Sequence, residues 1–163
     1  MAALPVILKR WLRAILSRWK THGPDRVGLI LDSSVIIAAE RRAATVEMLI
    51  EQVVSVSGDQ DAALSSVGLT ELIHGIYRAP TPEIRLRRQS FIESLLRAVT
   101  VFPYTKATAM LAGRIDGEQR ALGVNIPFGD LLVGATALSL DFSLATVNLR
   151  HFRLIPGLKI VTF

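Results

Sequence analysis

The stretch Val27-Gly-Leu-Ile-Leu-Asp-Ser-Ser-Val-Ile-Ile-Ala-Ala-Glu40 decides the fold. Residues 27–31 form an uninterrupted apolar run of the length expected for a buried strand. From Ser33 to about Arg42 the sequence predicts a helix, and Asp32 stands at the junction. A buried strand that passes directly into a helix is the repeating unit of an α/β fold, in which helices cover a parallel sheet.

The same alternation of strands and helices continues to the end of the chain. The sequence predicts further helices at about residues 45–54, 67–78, 83–98, 105–122 and 129–140, and strands at about 62–66, 99–103, 143–147 and 159–163. Residues 57–61 are predicted to form a loop. The expected architecture is a three-layer α/β/α fold with a mostly parallel central sheet.

Composition limits the class of protein. The chain has 163 residues, of which 50% are hydrophobic, so it can bury a real core. It contains no cysteine, which excludes disulfides, thiolate metal sites and a cysteine nucleophile, and which fits a cytoplasmic location. No apolar run reaches the length of about 18 residues that a transmembrane helix needs.

The net charge of +5 is concentrated in the first 26 residues, and the rest of the chain is balanced. The body therefore gives no bulk electrostatic argument for nucleic acid. Residues 1–22 read as a basic amphipathic helix followed by a linker, so we divide the chain into an extension, 1–26, and a domain, 27–163. The extension is either a helix that contacts a membrane surface or a partner, or a loosely ordered terminus, which is the simpler interpretation.

Three carboxylates lie in apolar segments, where an acid is costly. Asp32 follows a predicted strand, Glu71 lies inside an apolar helix, and Asp130 opens another. Buried acids are usually paired or bound to a metal ion, and Mg²⁺ and Mn²⁺ prefer oxygen ligands. The three acids together suggest one shared cation.

Each acid also has an ordinary structural interpretation. Asp32 or Ser33 could cap the helix that follows them. Glu71 could be a solvated helix residue, and Asp130 could be a first-turn acid that the helix dipole favours. Beyond the acids, Asn148 and Thr146 at the end of a predicted strand offer a carbonyl oxygen and a hydroxyl, although Asn commonly supplies a strand-ending turn.

These residues carry a family resemblance. Four segments resemble the successive motifs of PIN-domain proteins: Leu31-Asp-Ser-Ser-Val-Ile36, Leu64-Ser-Ser-Val-Gly-Leu-Thr-Glu-Leu72, Gly123-Val-Asn-Ile-Pro-Phe-Gly-Asp-Leu-Leu-Val133 and Ala145-Thr-Val-Asn-Leu-Arg-His-Phe152. The nearest group is the VapC-type toxins of bacterial toxin–antitoxin pairs. The resemblance covers about residues 27–163, and its specificity rests on the order and spacing of short motifs.

The resemblance implies an endoribonuclease that uses Mg²⁺ or Mn²⁺. By position, the metal ligands would be Asp32, Glu71 and Asp130. Asn148 stands where many members have Asp, which weakens a second metal site. Ser33 falls where members often have a hydroxyl. Asp116 is a further candidate, although a solvated helix acid is the favoured interpretation of it.

The resemblance also implies partners. Arg150 and Arg153, with His151 between them, adjoin the fourth motif and would contact the phosphates of RNA. A second basic cluster contains Arg85, Arg87 and Arg88, and a solvated face explains it equally well. A small antitoxin would block the site, and the toxin would form a homodimer. The alternative function is that of a catalytically inactive PIN-fold module that binds RNA or protein.

Overall fold

The computed structural model describes residues 28–58 and 60–163. Its strands are β1 (Gly28–Leu31), β2 (Asp61–Ser65), β3 (Thr100–Phe102), β4 (Ser143–Thr146) and β5 (Ile160–Thr162). Its helices are α1 (Ser33–Arg41), α2 (Val46–Ser57), α3 (Ser66–Tyr77), α4 (Pro82–Ala98), α5 (Lys106–Ala121), α6 (Phe128–Ser139) and α7 (Leu149–Phe152). The predicted extension, 1–26, lies outside the described residues.

The five strands form one parallel sheet in the order β3-β2-β1-β4-β5. In the centre of the sheet, Leu29 pairs with Ala62 on one side and with Ser143 on the other. The chain first moves from β1 outward to β3 and then returns to place β4 on the opposite side of β1. The direction of the strand order therefore reverses between β1 and β4.

Helices cover both faces of the sheet. Alternate residues of β1 point to opposite faces, so this strand contributes side chains to the core on each side. Leu29 and Leu31 belong to a core cluster shared with α1, α2, α3 and α4. Ile30 belongs to a second cluster, which contains buried residues of α5 and α6 together with Phe152 of α7. The predicted three-layer α/β/α architecture is therefore confirmed.

Local sequence signals fix where the helices begin and end. The hydroxyls of Thr45, Ser65, Thr81 and Thr105 each accept a hydrogen bond from the backbone N–H three residues further on, which satisfies a free donor of the first helical turn. Gly58 ends α2 with a φ of 73°, a left-handed conformation that other residues rarely adopt.

Two local predictions differ from the structure. Helix α2 continues to Ser57 and strand β2 begins at Asp61, so the predicted loop at 57–61 is shorter than expected. The short helix α7 was not predicted, because four residues are too few to show helical periodicity. Among the helices of the described residues, none has the length and apolarity needed to cross a membrane.

Candidate metal and nuclease site

The candidate site lies at the carboxyl ends of β1, β2 and β4. Asp32 follows β1 directly, Glu71 lies on the helix that follows β2, and Thr146 ends β4. Asp130 lies in the first turn of α6, the helix that precedes β4. In open parallel sheets, ligands bind at this edge where the strand order reverses, so the fold places the predicted acids where a site is expected.

Asp32 is buried, with a residue exposure of 4%. It occupies the N-cap position of α1, yet its carboxylate makes no capping hydrogen bond. Its Oδ2 instead accepts hydrogen bonds from the hydroxyl of Thr146, at 2.8 Å, and from the hydroxyl of Ser34. The structure therefore does not support the interpretation of Asp32 as a helix cap, and the carboxylate is tied to the end of β4.

Glu71 is partly buried and points toward the start of α1. Its Oε2 accepts a hydrogen bond of 2.7 Å from the hydroxyl of Ser33. This contact joins α1 to α3 across 38 residues of sequence, next to Asp32. Glu71 is therefore not a freely solvated helix residue.

Asp130 is held by an imidazole. Nδ1 of His151 lies 2.7 Å from Oδ2 of Asp130, and it also lies 3.3 Å from Nδ2 of Asn148. With Asp130 ionised, the Nδ1–H group of His151 is the donor of this hydrogen bond, because a carboxylate only accepts. The short helix α7 supplies this contact, because it brings His151 back over the start of α6.

The three carboxylates interact electrostatically. Burial raises the pKa of Glu71 above its ordinary value of 4.5; the Ser33 hydrogen bond opposes this rise, and the charges of Asp32 and Asp130 add to it. Burial likewise raises the pKa of Asp130 above 3.8; the His151 hydrogen bond opposes this rise, and the charge of Asp32 adds to it. Like charges that disfavour each other's ionised form indicate a place where a cation would be stabilised.

The chemistry of the donor set fits a hard divalent cation. Mg²⁺ and Mn²⁺ prefer carboxylate oxygens as ligands. The hydrogen bonds described above go to one oxygen of each carboxylate, which is Oδ2 in Asp32 and Asp130 and Oε2 in Glu71. Within residues 28–58 and 60–163, no group of three or more His, Cys, Asp or Glu side chains is arranged so that it could hold a metal ion. The fit to a cation therefore rests on the chemistry of the three carboxylates.

The other predicted residues fall into three groups. Asn148 begins α7, where its backbone N–H donates to the hydroxyl of Thr146 at 2.9 Å, so both residues adjoin Asp32. Arg150 and Arg153 are exposed on α7 and directly after it. Asp116 instead accepts two hydrogen bonds of 2.9 Å from Arg120 on α5. Its predicted role as an accessory residue stays untested.

The second basic cluster is engaged within the protein. Arg87 and Arg88 both approach the carboxylate of Glu40, at 2.7 and 3.7 Å, and Arg88 also donates to the carbonyl of Gly75. Arg85 lies over the ring of Tyr77. These contacts give the cluster a structural role that the sequence did not indicate.

Two site contacts were not predicted. The hydrogen bond from Ser34 to Asp32 was missed, although Ser34 belongs to the first motif. His151 was predicted to contact phosphate, and its bond to Asp130 was not foreseen. One available signal was that His151 lies three residues after Asn148, a spacing that places two side chains on one face of a helix.

Comparison with known sequences identifies the family. A sequence profile of the PIN domain matches residues 29–158. Ribonuclease VapC1 of Rickettsia felis is 31% identical over 136 residues, which cover 83% of this chain and 96% of that protein. Ribonuclease VapC10 of Mycobacterium tuberculosis is 33% identical over 131 residues, which cover 80% of this chain and 90% of that protein.

Solved structures agree with this match. VapBC2 from Rickettsia felis, bound to a DNA fragment from its promoter, superimposes with a TM-score of 0.72 at 20% identity, over 83% of this chain and 98% of that chain. DNA-bound VapBC from Salmonella typhimurium gives a TM-score of 0.71 at 24% identity, with the same coverage. These identities establish a shared fold. Because the profile covers most of the chain and the VapC relatives are aligned over nearly their whole length, the protein belongs to the PIN-domain family, within its VapC-type group.

Proposed function

We propose that this protein is a metal-dependent endoribonuclease and the toxin of a type II toxin–antitoxin pair. The observation that carries the proposal is the position of Asp32, Glu71 and Asp130, whose charges act on one another at the carboxyl edge of the sheet. The names of the relatives, Ribonuclease VapC1 and Ribonuclease VapC10, support the same activity.

The proposed chemistry is hydrolysis of a phosphodiester bond. When bound, a divalent cation supplies a Lewis acid that activates water and neutralises the charge that develops on the phosphate. Asp32, Glu71 and Asp130 would hold this cation through their carboxylate oxygens. The hydroxyls of Ser33 and Thr146 and the imidazole of His151 would orient the three acids, as outer hydrogen-bond partners of metal ligands commonly do.

RNA would reach the acids from the side of α7. Arg150 and Arg153 are exposed there, close in sequence to His151, which contacts Asp130. Exposed guanidinium groups bind phosphates without reading sequence, so these residues would position the strand. The guanidiniums of Arg87 and Arg88 already contact Glu40, which makes them weaker candidates.

The proposed protein partner is a small antitoxin that covers the acids with a basic side chain. Several of the solved structures with this fold are toxin–antitoxin complexes. A groove between α1, α3 and α4 leads to Glu71. It is lined by the apolar side chains Ile36, Ile37, Leu72 and Ile92 and by the charged side chains Glu40, Arg41 and Arg88. A mostly apolar groove that reaches Glu71 fits a peptide with apolar anchors and one basic side chain.

The nuclease assignment is tested with purified protein and structured and single-stranded RNA. We expect the protein to cleave RNA in Mg²⁺ or Mn²⁺ and not in a chelator. Adding excess metal after the chelator should restore cleavage. Cleavage that persists in chelator would contradict the metal dependence. RNA binding without cleavage under any of these metals would favour the inactive binding module.

The toxin assignment is tested in cells. Expression of the chain alone should slow growth, and co-expression with the product of an adjacent small gene should restore it. Size-exclusion chromatography with light scattering tests the proposed homodimer. Harmless expression of a protein that cleaves RNA in vitro would contradict the assignment as a toxin and leave the nuclease activity standing.

A further inference from the structure

One glycine lies against the carboxylate of Glu71. Gly129 is the second residue of α6 and directly precedes Asp130. A Cβ atom built on Gly129 would lie 2.9 Å from Oε1 of Glu71, which is closer than Cβ atoms come to non-bonded neighbours in proteins. The end of the Glu71 side chain therefore occupies the space that a side chain at position 129 would need.

The backbone conformation does not explain this glycine. The glycines with positive φ among the described residues are Gly58, Gly123 and Gly157, and Gly129 has an ordinary helical conformation. In a helix, Ala is more favourable than Gly, so a glycine without a conformational reason weakens α6. The contact with Glu71 supplies the missing reason.

Each oxygen of the Glu71 carboxylate has a neighbour. Ser33 donates a hydrogen bond to Oε2, and Oε1 lies 2.9 Å from the position that a Cβ atom on Gly129 would take. A methyl group at position 129 would have to displace either this carboxylate or the helix. The end of a Glu side chain moves more easily than a helix packed on the sheet, so the carboxylate would move.

We propose that Gly129 is a positioning residue, whose missing side chain seats the Glu71 carboxylate beside Asp130 for a shared divalent cation. The proposal rests on the proposed function, because it assigns the space at Gly129 to one of the proposed metal ligands. Gly129 itself would touch neither the cation nor the RNA, and it would act through Glu71.

The test compares Gly129→Ala with the wild-type protein in three measurements: melting temperature without metal, Mn²⁺ affinity by calorimetry, and the kcat of RNA cleavage. We expect the melting temperature to stay the same or to rise, since Ala favours the helix. We expect Mn²⁺ affinity and kcat to fall roughly 10-fold to 100-fold, as they do when the support of a metal ligand is lost.

A second substitution gives the sharpest evidence for the mechanism. Glu71→Asp shortens the acid by one methylene, so Gly129→Ala combined with Glu71→Asp should recover Mn²⁺ affinity relative to Gly129→Ala alone. In the wild-type background the same Glu71→Asp change should weaken binding. Gly113→Ala is the matched control, because Gly113 is helical on α5 and an added Cβ would meet no atom within 4 Å.

Several outcomes would overturn the proposal. Wild-type Mn²⁺ affinity in Gly129→Ala would show that the contact does not matter. Equal losses in Gly113→Ala, or a lowered melting temperature without recovery by Glu71→Asp, would show a general effect on helix packing. If the wild-type protein binds Mn²⁺ but cleaves no RNA, the nuclease assignment fails while the affinity series still decides the role of Gly129. If the wild-type protein binds no Mn²⁺, both the nuclease assignment and the proposed role of Gly129 are contradicted.

Discussion

Glu71 and Asp130 have pKa values raised chiefly by burial above their ordinary values of 4.5 and 3.8. In the folded protein each acid binds its proton more tightly than in the unfolded chain, so this contribution to stability is present at low pH and is lost as pH rises through the raised pKa values. In the metal-free wild type, we therefore expect the melting temperature to fall, relative to the variant with Glu71→Gln and Asp130→Asn, as pH rises from about 4 to about 7. Thermal unfolding in a chelator, over a series of buffers, measures this difference.

The control for this pH effect is Asp116→Asn, because Asp116 lies on α5 in an exposed hydrogen-bonded pair with Arg120. It should not reproduce the trend. A wild type that gains stability over the double variant as pH rises would contradict the sign that we assign to the two raised pKa values.

Asn148 should adjust the site and not hold the cation by itself. A neutral amide is a weaker ligand for a hard cation than a carboxylate, and the backbone bond from Asn148 to Thr146 survives a change of side chain. We expect Asn148→Ala to lower kcat by roughly 10-fold to 100-fold, and Asp32→Ala to reduce cleavage to background. Equal losses in two variants with wild-type circular dichroism would show that Asn148 is a full ligand.

The sequence predicted the acids of the site better than their partners. Asp32, Glu71 and Asp130 could be identified because a carboxylate in an apolar segment requires compensation. Apart from the bond between Ser34 and Asp32, the bonds that compensate them join residues that are 21 to 114 positions apart, and they depend on how helices pack. Ser33 and Thr146 were foreseen from the motifs, whereas the contact of His151 depends on a helix too short to predict.

At the scale of the elements, α1 and α4 are joined by a buried acid. Glu40 has an exposure of 7% and bonds Nε of Arg87 at 2.8 Å, while Arg88 connects the same acid to the backbone of α3. We expect Glu40→Ala to lower the free energy of unfolding by roughly 1–3 kcal/mol, because two guanidiniums lose their partner. Because Arg87 is more than half exposed, water would replace part of the lost interaction.

Urea unfolding measures this loss, with Glu93→Ala as the control, since Glu93 is exposed on α4 and accepts only from Gln89 among the bonds described. Glu40→Ala should also weaken binding of the antitoxin, because Glu40 and Arg88 line the proposed groove. Unchanged unfolding of Glu40→Ala would show that the pairs contribute nothing net, as is known for some ion pairs.

Most elements follow from local pattern. Strand β1 is predictable as a continuous apolar run, because both faces of a central parallel strand are buried. The strand order β3-β2-β1-β4-β5 is not written in any local segment, since it depends on which long-range pairs form. The alternation of strands and helices predicts a mostly parallel sheet covered on both faces, and it does not predict the order of the strands.

For the molecule as a whole, the match to the PIN domain begins at residue 29, after the basic segment 1–26. We therefore propose that removal of residues 1–26 leaves the melting temperature and kcat of the nuclease close to those of the full chain. The net positive charge of the chain lies in this segment, so the truncated protein should bind RNA with weaker salt dependence. A truncated protein that is unfolded, or inactive at low salt, would show that the segment is part of the domain.

The most direct measurement of the central claim is RNA cleavage by four single variants in Mn²⁺: Asp32→Asn, Glu71→Gln, Asp130→Asn and Asp116→Asn. Each change keeps the shape of the side chain and removes its charge, so metal binding is affected while the fold persists. If three carboxylates share one cation, the first three variants lose cleavage by a factor of roughly 1,000 or more and bind Mn²⁺ more weakly, while Asp116→Asn stays near wild type. Cleavage near the wild-type rate in Asp130→Asn or Asp32→Asn, by protein free of contaminating nuclease, would contradict the account.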